Sequence, residues 1–241
     1  MTTQEMLSPM RRAINDYNMI VPGDKVAVGV SGGKDSLTLL TLLHEYQRFS
    51  DRPFDLMGIT IDMGFTKDAY APVEEFCAKL GVEYHVVKTD IAEVIFDIRK
   101  EKNPCSLCAK MRRGALNSEI IARGYNKLAL GHHQDDVVET FMLSLFYEGR
   151  LNTFQPKSFM SRSGVTLIRP MIYIEERDIV GFAKDLPVCH NPCPANKHTQ
   201  REYMKQLLRD LSVDTPGLAN KFANAIMHPE RYNLWDKIDK D

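Results

Sequence analysis

The chain lacks a membrane span. No apolar run among its 241 residues approaches the roughly 18 that a bilayer-crossing helix needs, and the uncharged stretch from Thr140 to Tyr147 is among the longest. A secretory leader is not expected either. Arg11 and Arg12 lie near the amino terminus, but no apolar segment with a cleavage site follows them, so the cytoplasm is the expected location. There is no internal repeat and no low-complexity segment, which excludes solenoids and arrays. Neither charge is in excess: 31 basic against 32 acidic side chains leave a formal net charge of −1. The average composition therefore does not mark a nucleic-acid binder. Cysteine is scarce, at five residues. In a reducing compartment those thiols are expected as ligands, catalysts or packing residues rather than disulfides.

What is present is an ordinary soluble composition, 44% apolar and 26% charged. The length suits one large α/β domain, or one domain with a small appendage. Strand and helix patterns alternate. Strands are expected over 24–30, 56–61, 83–88 and 127–130, and helices over 5–19, 35–48, 70–80, 90–101, 106–123 and 134–147, with Gly81 and Gly124 as stops. That spacing predicts an α/β fold with a doubly wound parallel sheet, whose ligands sit beyond the carboxyl ends of the strands. After residue 150 the pattern changes to a hairpin (153–159 with 165–168) and helices near 175–185, 198–211 and 216–227. The expected organisation is an N-terminal helix (1–22), an α/β domain (23–150) and a small C-terminal hairpin and helical appendage (151–241).

Three features fall at expected strand ends. Val26 to Val30 reads as a buried strand that runs into Ser31-Gly32-Gly33-Lys34-Asp35-Ser36, with a helix opening at once. The two glycines allow a tight turn and let backbone N–H groups approach a ligand. The helix start adds partial positive charge and Lys34 adds a mobile cation, which together make an anion site. It is not the Walker loop, because Asp35 follows the lysine and the glycine spacing differs. Asp62 ends the second strand, and Gly131-His132-His133 follow the fourth. An ordinary glycine turn, and histidines that cap and pack a helix, are the plainer readings of the same residues.

Charge is balanced on average and uneven locally. Arg99, Lys100, Lys102, Lys110, Arg112 and Arg113 are met only by Glu101, and Lys197, Arg201, Lys205 and Arg209 only by Glu202. Such faces suit phosphates, and they equally suit solvated helix surfaces.

The cysteines leave several chemistries open. Cys105-Ser106-Leu107-Cys108 has CxxC spacing behind Pro104, and Cys193 lies in a second proline-flanked loop. Three thiolates suit a [4Fe–4S] cluster with one iron left open. With Cys189 or His190 as a fourth ligand they suit a closed zinc site. Cys105 and Cys108 also suit a redox disulfide or a persulfide, and all five suit packing. Cys77 is expected in the core.

The hexapeptide from Ser31 to Ser36 resembles the PP-loop of ATP pyrophosphatases, which split ATP between its α- and β-phosphates. With the cysteines added, the chain resembles the tRNA 2-thiocytidine synthetase (TtcA) family of PP-loop enzymes over nearly its whole length. The resemblance rests on Asn18-Met19-Ile20, Val30 to Ser36, Cys105 to Cys108 followed by Arg112-Arg113-Gly114, and Ala129 to Asp136. It continues through Leu145-Phe146-Tyr147-Glu148-Gly149, Ile168-Arg169-Pro170-Met171, and Pro192-Cys193 followed by Gln200-Arg201. Lysidine synthetases share the PP-loop but lack this cysteine set. Where family members often carry a further cysteine after the third ligand, this chain has Pro194-Ala195-Asn196.

The resemblance implies the PP-loop fold and an ATP-dependent tRNA sulfurtransferase acting on cytidine 32 of the anticodon loop. It implies a [4Fe–4S] cluster on Cys105, Cys108 and Cys193, with ATP and Mg²⁺ as further requirements. Implied partners are tRNA, a sulfur donor (a cysteine desulfurase or free sulfide) and a second copy of the chain in a homodimer, with no membrane. Ser31, Gly32, Gly33, Lys34, Asp35 and Ser36 are the expected phosphate cradle, joined by Asp62, Gly131 and His133 for the rest of ATP. Lys34, Asp35, Arg112 and Asp136 are the expected catalytic residues; Arg99, Lys100, Lys102, Arg113 and Lys205 are the expected RNA contacts. Two other readings differ in chemistry. A lysidine-type ligase would form the same adenylate and need no Cys193, and a zinc-stabilised nucleotide-binding adaptor would catalyse nothing.

Overall fold

Strand β1 (Lys25–Gly29) buries Val26, Ala27 and Val28 in succession, the pattern of an inner parallel strand covered on both faces. The computed structural model describes residues 1–66, 68–100, 104–189 and 200–235. In it β1 lies between β2 (Asp55–Asp62) and β4 (Lys127–Ala129), both parallel to it. The six-stranded sheet has the order β3-β2-β1-β4-β6-β5, with β3 at Glu83–Lys88, β5 at Lys157–Met160 and β6 at Val165–Ile168. The chain builds outward from β1 to β3 on one side and then returns to place β4 on the other. The switch point therefore falls between β1 and β4, and in such sheets the ligand crevice opens there.

The described residues divide into two compact units, 1–134 with 155–197 and 135–154 with 198–241. The first holds the sheet. Helices α1 (Thr3–Asp16) and α2 (Lys34–Phe49) pack together and bury Met6, Met10, Ile14, Leu37 and Leu40. Helix α3 (Ala71–Leu80) ends at Gly81, whose φ of 72° gives the left-handed cap expected of it. Helix α4 (Pro104–Ala122) sets Ile120 and Leu116 against Ala27, Met57, Ile59, Leu128 and Leu167. Helix α6 (Glu176–Phe182) packs on α2. The second unit has its own core, in which Val138 and Met142 of α5 (Gln134–Leu143) meet Met204 and Leu208 of α7 (Gln200–Asp214) and Ala223 of α8 (Leu218–Met227). No helix among the described residues is long and apolar enough to cross a membrane.

Three expectations differ from what forms. The hairpin is not an appendage: β6 pairs in parallel with β4, and β5 closes the sheet as its single antiparallel edge. Short strands carry no local record of which strand they will pair with. The expected helix over 90–101 forms instead as a π-helical turn at Glu93–Ile98, in a segment rich in β-branched residues that favour a regular helix less. The expected helix over 134–147 passes from α5 into a second π-helical turn at Ser144–Glu148, stopped by Gly149 at φ 64°.

Candidate functional site

The turn after β1 is held by its own serines. The Ser31 N–H donates to Ser36 Oγ at 3.1 Å, the Ser36 hydroxyl donates to the Gly33 carbonyl at 3.0 Å, and the Gly33 N–H donates to Ser31 Oγ at 3.3 Å. Gly32 takes φ +80°, which an L side chain rarely adopts. Gly33 stands at the N-cap of α2 and gives it no side-chain cap, so the N–H groups of the first turn face outward for an anion.

Charge gathers at the same turn. Lys34 Nζ lies 2.9 Å from Asp35 Oδ1 and 3.0 Å from Glu176 Oε1, with all three side chains between 20% and 34% exposed. Burial alone would lower the lysine's pKa, but the hydrogen bonds and charges of Asp35 and Glu176 outweigh it and raise it. His133, buried, puts Nε2 3.8 Å from Asp35 Oδ1. Gly131 is required by this approach. A Cβ there would sit 2.9 Å from the Asp35 carbonyl carbon, so the β4 loop and the start of α2 touch backbone to backbone.

Asp62 ends β2 as expected, where its Oδ1 accepts the Gly64 N–H at 2.9 Å. Beside it stands Tyr70, which sequence reasoning missed. Burial raises the Tyr70 hydroxyl above its ordinary range; Arg112 pulls it down, while Asp62 and Cys189 push it further up. Three residues from separate parts of the chain, Asp62, Arg112 and Cys189, thus act on one phenol. Tyr70 also reaches the PP-loop, with Cε1 3.5 Å from the place of a Cβ on Gly32. Cys189 is closer still: its N–H donates to the Gly32 carbonyl at 2.9 Å, and its Cβ is 3.1 Å from that same place. Burial raises its thiol pKa.

The CxxC pair opens α4. Cys105 is exposed and Cys108 half-buried, and one helical turn sets them on one face. Cys108 Sγ lies 3.4 Å from Met63 Sδ, one residue beyond Asp62. These soft, accessible donors fit two ligands of a thiolate-held cluster. Cys193 and Lys102 lie outside the described residues, and among the described residues no group of three His, Cys, Asp or Glu is assembled. Cys77 is buried, as expected, and burial pushes its thiol up to about 11.

The remaining candidates separate. Arg99, Lys100 and Arg113 are exposed in the first unit. Arg113 lies near enough to Arg169 that, after burial, it is the next cause lowering that guanidinium's pKa to about 10. In the second unit Asp136 is engaged by Arg201, whose Nη1 lies 3.1 Å from Asp136 Oδ1 and 3.2 Å from Glu139 Oε2, while Nη2 donates to Thr140 Oγ1. Lys205 stands half-buried on α7.

The chain is similar to known proteins over nearly its whole length. A family model for the PP-loop domain matches residues 4–212. A tRNA-cytidine(32) 2-sulfurtransferase of Geobacter metallireducens is 37% identical over 231 residues, 94% of this chain and 90% of that one. Another, of Syntrophotalea carbinolica, is 38% identical over 235 residues, 95% of this chain and 91% of that one. Among solved structures, the U34-tRNA thiolase NcsA from Methanococcus maripaludis, with its [4Fe-4S] cluster, superposes with a TM-score of 0.77 at 26% identity, covering 99% of this chain and 83% of that one. An NH3-dependent NAD synthetase from Campylobacter jejuni shares the fold at a TM-score of 0.52 and 17% identity. The chain belongs to the PP-loop family, and within it to the tRNA-cytidine(32) 2-sulfurtransferases.

Proposed function

We propose that this chain uses ATP to replace the C2 oxygen of cytidine 32 in tRNA with sulfur. One arrangement supports this above the others: the PP-loop, Asp62 and the face of α4 that bears Cys105, Cys108 and Arg112 belong to one α/β unit, and Tyr70, beside Gly32, feels the charges of both Asp62 and Arg112. A carbonyl oxygen is a poor leaving group. In the first step it attacks the α-phosphate, the α–β bond breaks, pyrophosphate departs and the oxygen becomes an AMP ester. The first-turn N–H groups of α2, the Ser36 hydroxyl and Lys34 stabilise the negative charge that grows on the departing phosphates. Mg²⁺ brought with ATP shares that task, with Asp35 orienting Lys34 or the ion. Asp62, Gly131 and His133 line the place for the rest of the nucleotide. In the second step a sulfur nucleophile adds to C2, the C2–O bond breaks and AMP leaves.

Cys105, Cys108 and Cys193 would hold a [4Fe–4S] cluster; when bound, it supplies an iron open to a sulfur ligand. Arg112, one turn beyond Cys108, is placed to steer the oxygen or the incoming sulfur. A direct role for Asp136 requires its pair with Arg201 to open. Arg99, Lys100, Lys102, Arg113 and Lys205 are assigned to RNA phosphates. An unpaired anticodon loop gives up a base to a cleft at little cost. Family membership further implies a cytoplasmic homodimer fed by a cysteine desulfurase or by free sulfide.

Oxygen-free reconstitution, followed by nucleoside mass spectrometry of tRNA incubated with ATP and sulfide, tests the proposal. 2-Thiocytidine at position 32, lost with Cys105→Ala, is expected. An amine adduct at that position, or thiolation by protein holding only zinc, would overturn it.

A further inference from the structure

We infer that Glu176 is a positioning residue for the PP-loop lysine: it holds the Lys34 ammonium in the one orientation that leaves its third N–H for a phosphate oxygen. This rests on Lys34 being a phosphate ligand, as proposed above, and adds a residue that no motif in the loop contains.

The geometry is direct. An ammonium carries three donors and no acceptor. Two carboxylate oxygens lie at ion-pair distance from it, Asp35 Oδ1 at 2.9 Å and Glu176 Oε1 at 3.0 Å. Asp35 follows Lys34 in sequence and moves with it. Glu176 does not: it arrives from more than 140 residues away and is the only carboxylate of that pair fixed to a different element. A lysine stem has many rotamers, so a single neighbour at i+1 leaves the ammonium a wide arc. A second anchor on α6 removes most of it.

Glu176 is itself held in place. Ile174, two residues before it, is 1% exposed, and its carbonyl accepts the Gln134 N–H at 2.9 Å, just after Gly131-His132-His133. The Ile174 N–H in turn donates to the Met171 carbonyl at 2.9 Å, and Met171 is fully buried. Ile179, fully buried, seats the next turn of α6, which packs on α2. The carboxylate is therefore delivered by a braced segment to the start of the helix that carries Lys34. A pair at 30% and 20% side-chain exposure is too wet to contribute much to folding and too braced to be a chance surface contact. The segment Ile168-Arg169-Pro170-Met171, which resembles the family's but has no part in the chemistry above, acquires a purpose: it sets the distance from β6 to Glu176.

The role predicts a division between binding and rate. Removing Glu176 takes away an anchor of Lys34 and also a negative charge near the triphosphate. These act oppositely on ground-state binding, so affinity for a non-cleavable ATP analogue should change less than about threefold. Misorientation of the ammonium acts on the rate, and AMP formation with tRNA should fall about 10- to 100-fold in Glu176→Ala. Glu176→Gln, which keeps an acceptor oxygen at the same reach, should recover part of that loss. Lys34→Ala combined with Glu176→Ala should be no slower than Lys34→Ala alone, because Glu176 acts through the lysine.

Contact between the two groups is read by the titration of Lys34, followed by NMR of the side chain in protein without RNA, while the double variant separates positioning from a merely structural pair. The titration should move to lower pH in Glu176→Gln. Losses that multiply in the double variant, or a Lys34 titration unmoved by Glu176→Gln, overturn the inference. Failure of the wild-type protein to bind the ATP analogue overturns the nucleotide reading instead, and the titration still decides whether Glu176 holds the ammonium.

Discussion

Lys34 and Lys127 each meet an aspartate, at opposite ends of one sheet, and the two pairs do different work. At the amino end Lys127 Nζ lies 3.4 Å from Asp24 Oδ2 with side chains only 8% and 5% exposed. Every oxygen of that aspartate is occupied: Oδ2 also accepts the Val21 N–H at 2.8 Å, and Oδ1 accepts Asn126 Nδ2 at 2.8 Å. Asn126 then accepts the Lys25 N–H at 2.8 Å, which ties the start of β1 to the start of β4. At the carboxyl end the Lys34 cluster is several times more exposed, and it stands beside helix N–H groups that no side chain caps. The groove at the amino end, about 600 Å³ and lined by Lys25, Asp55, Glu83, Arg123 and Tyr125, has charges that neutralise one another, as in the Lys25–Asp55 pair at 3.7 Å and the Arg123–Glu119 pair at 2.7 Å. Identical residue types thus become scaffold where burial saturates them and, on the function proposed above, machinery where they stand more exposed beside a helix start.

The strongest test exchanges the two ends. Lys34→Ala should slow AMP formation about 100- to 1,000-fold, the scale of losing one donor that meets developing charge. Its urea midpoint should stay close to that of the wild type, because so exposed a pair is worth at most about 1 kcal/mol. Lys127→Ala should do the reverse and cost about 3–5 kcal/mol of stability by stranding Asp24 in the interior. A slow but fully stable Lys127→Ala would erase the distinction.

A smaller effect separates the two ends in RNA binding. Arg99→Glu and Lys100→Glu should each weaken tRNA binding roughly tenfold and lower the salt dependence by about one unit of slope. Lys25→Glu, at the amino end, should do neither, as read by filter binding across a salt series. Equal losses from Lys25→Glu would move the RNA face to the other end of the sheet.

The smallest effect is one of pH. The Lys34 pKa is raised in the folded chain above its ordinary 10.5, so the stability it contributes is complete below that value and is lost as pH rises through the folded one. The difference in melting temperature between wild type and Lys34→Met should therefore hold constant from neutral pH up to the ordinary lysine range and shrink only beyond it.

These comparisons also show what was legible in advance. The loop from Ser31 to Ser36, the strand-end positions of Asp62 and Gly131, and the stop at Gly81 are local signals, each written in a few adjacent residues. The CxxC pair is local as well, although its spacing alone admits iron–sulfur, zinc or a disulfide. Glu176 and Tyr70 escaped notice because nothing near them in sequence differs from an ordinary helix start or loop, and Cys189 stood out only as a candidate fourth metal ligand, not as a neighbour of Gly32. Their importance comes from Lys34 and Gly32, which they meet only after the chain has folded. The hairpin was misassigned to the appendage for a related reason: pairing of Leu128 with Leu167 is a property of the sheet, not of either strand. Asp136 was legible as a helix-start acid, but its partner Arg201 lies on α7, far along the chain.

The adenylated oxygen is the central claim, and one isotope experiment meets it directly. An anticodon stem-loop carrying heavy oxygen at C2 of cytidine 32 is incubated without air with reconstituted protein, ATP and sulfide, and the products are read by mass spectrometry. Activation at the PP-loop predicts one heavy oxygen in AMP for every 2-thiocytidine formed, with pyrophosphate unlabelled. Heavy oxygen in water or inorganic phosphate, or thiolation without AMP, would contradict it.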